Sequence, residues 1–413
     1  MDEKSNMNTR IQELLKMLDD VDDFNREIIE KGSVKVKKGE EIKKDGEAKK
    51  EEKKVEVKRV MSPSSIVEKL NETVIGQDEV KKSLAVVFFK YLTERLNEDK
   101  LKEMGRELTK SNLMLTGLSG TGKTYTIEQL CNILDMDYIV VNCASITSPG
   151  FKGGDIEDEL KRLFDKCDGD LKRIKKSVVI LDEIDKLRAN SEANGSDVSG
   201  SGAIKNFLKI LEGTDIDVEA SNGYFKRKET FNTKDIMFVG CGTFMGGIDR
   251  DNIEDIVRKR MDKKGHKRAM GFFGEKEYEE AVTHERNVIR RNITADDIIE
   301  YGFSQELLGR FSMVLNLEIL TLEDYIKIAK LDKNGFLEYQ TLFTLYGKKL
   351  TVSNEVYEVL AENMMKTETN ARSLKGLVDK LCSPLVYDMV ENTKKKNYKI
   401  DRKYVEKIME MNS

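Results

Sequence analysis

The feature that most constrains this chain is an eight-residue segment, Gly117-Leu118-Ser119-Gly120-Thr121-Gly122-Lys123-Thr124. A short apolar run, Leu113–Thr116, leads into it, and helical periodicity follows through Ile127, Leu130 and Leu134. Glycines in such a loop let backbone N–H groups close around phosphate oxygens, and the helix that follows adds the positive end of its dipole. Chance would produce the pattern about 0.02 times in a chain of this length. The sequence therefore predicts a P-loop between a strand and a helix.

Four side chains have predicted roles around a bound nucleotide. Lys123 is expected to neutralise the β- and γ-phosphates of ATP, and the Thr124 hydroxyl to ligate Mg²⁺. The apolar run Val178–Leu181 ends in Asp182 and Glu183, 59 residues after Lys123. Because α/β sheets bind ligands at the carboxyl ends of their strands, this pair is expected in the same site. Asp182 suits a partner of Mg²⁺, direct or through water, and Glu183 suits the residue that polarises the attacking water.

Strand-like and helical patterns alternate through the middle of the chain. Further apolar runs lie at Tyr138–Val141 and Ile236–Val239, with helical patterns between them. This alternation predicts an α/β domain in which helices cover both faces of a parallel sheet. Helical periodicity dominates after about residue 316, which predicts a smaller helix-rich second domain.

The first 61 residues differ from the rest of the chain in composition and hydrophobic pattern. A short amphipathic pattern at residues 9–30 predicts a helical N-terminal segment, 1–32, which is either a partner-binding element or a marginal helix. Residues 33–61 are rich in Lys and Glu and contain almost no core-forming side chains, so they are expected to be a solvated linker. The predicted domains are then 62–315 and 316–413.

Composition limits the metals, partners and location to be expected. The chain has five cysteines, none two residues apart, and two histidines, so we expect no zinc site. It shows no secretory segment, and no window approaches about eighteen apolar residues. The formal net charge is −4, without a strongly basic block. These observations predict a cytoplasmic protein with no membrane and no nucleic-acid partner.

Several motifs together resemble those of the ClpX-type AAA+ protein unfoldases, the ATP-binding subunits of Clp proteases. The resemblance runs from about Ser62 to the C-terminus. Val74-Ile75-Gly76-Gln77 is similar to the family segment that packs against adenine, so Val74 and Ile75 are expected nucleotide contacts. Ile180–Lys186 is similar to the family's magnesium and hydrolysis strand. The resemblance implies a P-loop AAA+ large domain followed by an AAA+ small, or lid, domain.

The resemblance also gives roles to two arginines. Gln305–Arg310 resembles the element that delivers an arginine finger to the γ-phosphate of a neighbouring subunit, and Thr369–Arg372 resembles the second sensor of the lid. Arg310 is therefore an expected catalytic residue in trans, and Arg372 an expected nucleotide contact. A finger supplied across an interface makes hydrolysis depend on assembly, so a homohexamer is implied. The first sensor stays open, with Thr243 as the plausible hydroxyl.

Two further segments resemble family elements that handle proteins. Gly150-Phe151-Lys152-Gly153 is similar to the pore loop, whose aromatic ring grips protein substrates by packing. Met270-Gly271-Phe272 is similar to the Ile-Gly-Phe loop that docks on a ClpP-like peptidase. The alternative for each is local: Phe151 packed under its own loop, and Phe272 with Phe273 packed on the large domain.

The resemblance therefore implies an ATP hydrolase that unfolds proteins and threads them through a ring pore into a ClpP-like peptidase. ClpX chains usually begin with a four-cysteine zinc domain, and residues 1–60 contain no cysteine. Two alternatives remain open. One is an AAA+ remodelling chaperone that works without a peptidase. The other is an AAA+ ATPase that acts on DNA, which the aromatic pore loop and the lack of a basic stripe disfavour.

Overall fold

The computed structural model describes residues 59–108, 110–146, 155–187, 198–222, 225–246, 251–263, 275–331, 335–367 and 370–410. The predicted helix at 9–30 and nearly all of the predicted linker 33–61 lie outside these ranges. Within the described ranges, no helix has the length and apolar character that crossing a bilayer requires.

The strands of the described residues form three sheets. In chain order they are β1 (Leu113–Thr116), β2 (Tyr138–Asn142), β3 (Val178–Asp182), β4 (Asp215–Asn222), β5 (Phe225–Asn232), β6 (Met237–Gly242), β7 (Met313–Asn316), β8 (Lys349–Val352) and β9 (Asn397–Ile400). The main sheet is parallel, in the order β2-β3-β6-β1-β7. The four apolar runs found in the sequence thus become four neighbouring strands, which confirms the predicted parallel sheet.

Helices fill the connections between the strands. In chain order they are α1 (Pro63–Asn71), α2 (Asp78–Leu96), α3 (Glu98–Glu103), α4 (Lys123–Ile133), α5 (Ile156–Lys166), α6 (Leu171–Ile174), α7 (Val198–Glu212), α8 (Ile253–Lys263), α9 (Glu275–Arg291), α10 (Ala295–Glu300), α11 (Gln305–Leu308), α12 (Leu322–Lys330), α13 (Phe336–Leu345), α14 (Asn354–Lys366), α15 (Leu374–Glu391) and α16 (Arg402–Glu410). Several begin at a polar N-cap: Ser62 accepts from the backbone of Ser65, and Thr321 with Asp324 forms a capping box at α12.

The main sheet has an apolar core on each face. Side chains alternate along a strand, so Leu113 and Leu115 of β1 enter one core while Met114 enters the other. The first core contains residues of α1, α2 and α4, and the second contains residues of α5, α7, α8 and α9. Helices on both faces explain why these strands are continuous apolar runs, and they confirm the predicted α/β architecture.

A third core lies in the C-terminal part of the chain, between Leu320 and Val405. Its helices are α12 to α16, in agreement with the predicted helix-rich second domain. The structure adds the parallel pair β8–β9, in which Leu350 lies opposite Tyr398. The Tyr398 ring packs edge-on against Phe343, with 5.0 Å between ring centroids. The boundary between residues 315 and 316 stays a prediction.

A buried charge cluster joins α8 to α9. Glu254 of α8 accepts from Arg286 at 2.9 and 3.1 Å and from Arg290 at 3.0 Å. Arg290 is fully buried, and its Nε and Nη2 atoms have no hydrogen-bond partner among the described residues. Burial lowers the pKa of Arg290 to about 10, which the nearby Glu254 counteracts. The cluster therefore holds two guanidinium groups around one carboxylate.

Removal of that carboxylate tests how much the cluster contributes to the fold. Glu254→Ala leaves Arg286 and Arg290 without their shared counter-ion, so we expect the free energy of unfolding to fall by about 3–5 kcal/mol. Chemical denaturation followed by circular dichroism measures it. Asp388→Ala is the matched control, because its ion pair with Lys395 is 40% and 46% exposed and should contribute little to the free energy of unfolding. Equal losses in the two variants would contradict the expectation.

Candidate active site

The loop between β1 and α4 has the backbone of a phosphate-binding loop. Gly120 and Gly122 have φ angles of 76° and 91°, in the left-handed region that glycine enters without strain. A Cβ on Gly117 would lie 2.7 Å from the Thr121 hydroxyl oxygen, so the loop closes tightly on itself. Within the described chain, no side chain caps the start of α4. Its first N–H groups are therefore available to an anion such as a phosphate.

Lys123 is the buried cation of this loop. Its side chain bridges the turn, donating from Nζ to the carbonyls of Gly117 at 2.7 Å and Leu118 at 2.9 Å. Burial lowers the pKa of Lys123 to about 8, an effect that Asp182 opposes and Arg290 adds to. A polyphosphate bound here would stabilise the charged form of the amine.

The acidic pair at the end of β3 faces the same edge of the sheet. Strand β6 lies between β1 and β3, and its register sets Gly242 opposite Thr116 and Cys241 opposite Asp182. The Asp182 carboxylate accepts from the backbone N–H of Glu183 at 3.1 Å. Glu183 has a φ of 55°, a left-handed conformation that is uncommon outside glycine and often found at functional sites.

Most of the predicted site residues line one cleft, which has a volume of about 520 Å³. Those that line it are Val74, Ile75, Ser119, Gly120, Thr121, Gly122, Lys123, Thr124, Asp182, Glu183 and Arg372. The C-terminal core closes its far side through residues Leu320, Ile328, Leu331, Gly335, Glu338, Ala371, Leu374 and Lys375. The cleft therefore lies between the main sheet and the helix-rich part of the chain.

Other predicted residues lie elsewhere. Gly117 and Leu118 belong to the loop but are not part of the cleft lining. Arg310, just after α11, is also absent from that lining; it is 43% exposed and pairs with Glu212 at the end of α7. The predicted pore loop Gly150–Gly153 and the predicted docking segment Met270–Phe272 lie outside the described residues.

The structure adds residues that the sequence did not single out. Tyr125 and Glu128 follow the loop on α4 and line the cleft, and the Tyr125 hydroxyl donates to the Thr73 carbonyl at 3.4 Å. Glu128 lies four residues after Thr124, so helical spacing was a usable signal for it. Burial raises the pKa of Glu128, as does the neighbouring Asp182. Lys375 also lines the cleft and lies three residues after Arg372, so the same spacing was a usable signal for it.

Asp185 and Thr243 form a polar contact beside the acidic pair. The backbone N–H and the hydroxyl of Thr243 donate to Asp185, at 3.2 and 3.3 Å. Asp185 is 1% exposed, and both residues line the cleft. A Cβ on Gly242 would lie 2.5 Å from the Phe244 ring, so the chain can turn here only with glycine. Thr243, the hydroxyl noted at this strand end, is thus held next to the candidate site.

The donor set around Thr124 and Asp182 suits Mg²⁺. This ion is commonly bound by one or two carboxylates together with substrate phosphates and water, all through oxygen. Cys241 lies opposite Asp182 in the sheet, and burial raises the pKa of its thiol to about 12. The sulfur therefore stays protonated, which leaves a hydroxyl and a carboxylate as the metal-binding groups.

Comparison with known proteins agrees with this geometry. Residues 113–268 match the family described as "ATPase family associated with various cellular activities (AAA)". The chain is also similar to the ATP-dependent Clp protease ATP-binding subunit ClpX 2 of Wolinella succinogenes. The two are 30% identical over 334 residues, which is 79% of this chain and 77% of that protein. Since the similarity spans most of both chains and the family match includes the phosphate loop and the Asp182–Glu183 pair, this chain is an ATP hydrolase that belongs to the ClpX family of AAA+ ATPases.

Proposed function

We propose that this ATPase is a cytoplasmic homohexameric unfoldase that pulls protein substrates through its pore and into a ClpP-like peptidase. The observation that carries the proposal is the cleft itself. It combines a phosphate loop and an acidic strand end with a lining from the helix-rich part of the chain, while Arg310 lies outside it. Such a site can change shape during hydrolysis and can be completed by a neighbour. The similarity to a Clp protease subunit supports the same proposed function.

Within one subunit, each chemical task of ATP binding and hydrolysis has a candidate side chain. The loop N–H groups and Lys123 hold the phosphates of ATP, and Val74 and Ile75 contact the adenine. Thr124 and Asp182 hold Mg²⁺, which when bound neutralises charge on the phosphates. Glu183 orients and polarises the water that attacks the γ-phosphate.

Arg310 acts on the next subunit in this proposal. Its guanidinium is 43% exposed and pairs with Glu212, which is 47% exposed. Exposed ion pairs contribute little free energy, so exchanging the Glu212 carboxylate for a phosphate of a neighbouring nucleotide costs little. Arg372, on the helix-rich side of the cleft, contributes a second cation from within the same chain.

The proposed coupling between ATP hydrolysis and substrate movement runs through the main sheet. Strand β2 lies next to β3, with Asn142 opposite Asp182. The chain continues from β2 through Cys143–Ser145 toward the proposed pore loop and returns at α5. A shift at the Asp182 end of β3 would therefore reach β2, the strand that precedes Phe151 in the sequence. In the proposal, Phe151 then moves with hydrolysis and pulls the substrate by packing.

The lowered pKa of Lys123 predicts a pH dependence of nucleotide affinity. Phosphate binds the ammonium form, and in the free protein this form is lost as the pH rises through about 8. ADP affinity should therefore be constant at lower pH and fall up to about tenfold per pH unit above about pH 8. Titration calorimetry between about pH 7 and about pH 9 measures this. Lys123→Arg, which keeps its charge, should flatten the profile, and an equally flat wild-type profile would disprove the role of this amine.

Replacement of the proposed water-polarising residue separates binding from hydrolysis. Glu183→Gln keeps the size of the side chain and removes the basic carboxylate, so the rate of ATP hydrolysis should fall by at least about 100-fold. ATP affinity should stay within a few fold of wild type. Phosphate release and equilibrium binding are the measurements, with the exposed Glu103→Gln as control. Undiminished turnover in Glu183→Gln would remove this residue from the mechanism.

The proposed peptidase partner is tested by degradation of a tagged, stably folded reporter. With a ClpP-type peptidase and ATP, Phe272→Ala should abolish degradation while ATP hydrolysis and unfolding of the reporter persist. Met104→Ala, at a side chain that is 67% exposed, is the control for removal of a surface apolar group. Normal degradation by Phe272→Ala would refute the docking role. Unfolding without any stimulation of degradation in the wild-type protein would instead favour the remodelling chaperone.

A further inference from the structure

The segment that connects β7 to α12 is held by two side-chain amides. This connecting segment, Leu317–Leu320, joins the main sheet to the helix-rich part of the chain. Gln77 accepts from the N–H of Glu318 at 2.9 Å and donates to its carbonyl at 2.8 Å. Asn287 accepts from the N–H of Ile319 at 2.7 Å and donates to its carbonyl at 3.0 Å. Each amide therefore pairs with one residue's backbone as a neighbouring β-strand would.

Gln77 also reaches the nucleotide site. The Nε2 atom of Gln77 lies 3.5 Å from the carbonyl oxygen of Thr121 in the phosphate loop. In the sequence, Gln77 closely follows the cleft residues Val74 and Ile75. The residue is 8% exposed and has a φ of 60°. A left-handed conformation in a buried non-glycine residue costs free energy and persists only where its surroundings hold it. The side chain of one residue with a strained backbone thus contacts both the phosphate loop and the connecting segment.

Asn287 approaches the connecting segment from α9. It is 6% exposed and is not part of the cleft lining. One turn later on the same helix, Arg291 pairs with the Glu318 carboxylate at 2.6 and 2.8 Å. The connecting segment is therefore bonded from two sides, by the residue that precedes α2 and by α9.

Open space lies on both sides of this segment. Leu320 lines the nucleotide cleft and also a second cavity of about 390 Å³. The second cavity is bounded by Leu118 and Thr121 of the phosphate loop and by Lys366 of the helix-rich part. Because the described residues fill neither space, the helix-rich part has room to rotate about the connecting segment. The hydrogen bonds to Glu318 and Ile319 attach this segment to the main-sheet part of the chain.

We propose that Gln77 and Asn287 form an amide clamp that sets the angle of the helix-rich part and makes this angle depend on the nucleotide. A nucleotide that fills the cleft immobilises Val74, Ile75 and the phosphate loop, and with them Gln77. The clamp then holds the connecting segment in one position. Both amides are positioning residues. The inference deepens the proposed function, because it assigns a regulator to the same cleft and rests on the helix-rich side taking part in nucleotide binding.

Distance measurements between spin labels test the clamp directly. The native cysteines are all buried, so labels can be placed selectively at Lys161→Cys on α5 and Lys399→Cys on β9. Adding Mg-ADP should narrow the distance distribution of the otherwise wild-type protein. Gln77→Glu keeps an acceptor for the Glu318 N–H but sets a carboxylate oxygen against two carbonyls. Its distribution should stay broad with Mg-ADP, and its ADP affinity should fall by about 5–10-fold.

Asn287→Asp makes the same change on the other side of the segment, at a residue that does not line the cleft. It should broaden the distribution in the same way, and Asn287→Gln should not restore the narrow one because the longer side chain displaces the amide. Asn292→Asp is the matched control, since its amide donates to the Val288 carbonyl one turn back on α9. It should leave both distance and affinity unchanged.

Two results would overturn the clamp. One is a narrow distribution with Mg-ADP in both Gln77→Glu and Asn287→Asp. The other is weakened ADP binding in Gln77→Glu without any change of distance, which would limit Gln77 to a local effect on the nucleotide. If circular dichroism shows that Gln77→Glu is unfolded, Asn287→Asp decides alone. The measurement uses neither a peptidase nor a protein substrate, so its outcome is separate from that of the unfoldase tests.

Discussion

Strand β6 is the constraint on which the site depends, because it lies between the two strands that carry the functional groups. Its parallel register with β1 and β3 fixes the distance from the phosphate loop to Asp182. Two glycines make this possible. A Cβ on Gly240 would lie 2.9 Å from Ile184, and one on Gly242 would lie 2.5 Å from the Phe244 ring. Larger residues would therefore push the turn after β3 away from the loop that it must face.

Two buried cations near the phosphate loop suit an anionic ligand that the protein does not itself supply. Lys123 and Arg290 are both buried, and burial lowers the pKa of each. Arg290 shares its carboxylate partner with Arg286, and Lys123 donates to two backbone carbonyls. Burial of the Lys123 ammonium is unfavourable in the empty protein, and a polyphosphate would relieve it. Part of the binding free energy of a nucleotide therefore comes from giving this amine a counter-charge.

The sequence predicted those parts of the site that are local in the chain. The phosphate loop and the pair Asp182–Glu183 are short motifs after apolar strands, and the structure brings them together. Strand β7 was not predicted, although Met313–Leu315 is an apolar run as short as that of β1. It lies at the edge of the main sheet, where its four residues are each only half-buried. The amide clamp and the Asp185–Thr243 contact were also not predicted, because their bonded residues lie 32 to 241 positions apart in the chain. Such contacts depend on how the strands are ordered, which no local window contains.

The neutral thiol of Cys241 has a consequence for oxidative conditions. Peroxides and disulfides react with thiolates, and burial raises the pKa values of the thiols of Cys143, Cys167, Cys241 and Cys382 above the ordinary value. A cysteine therefore lines the cleft without offering a redox-sensitive group beside the phosphates. We therefore expect mild thiol oxidants to leave Cys241 unmodified and the candidate site intact.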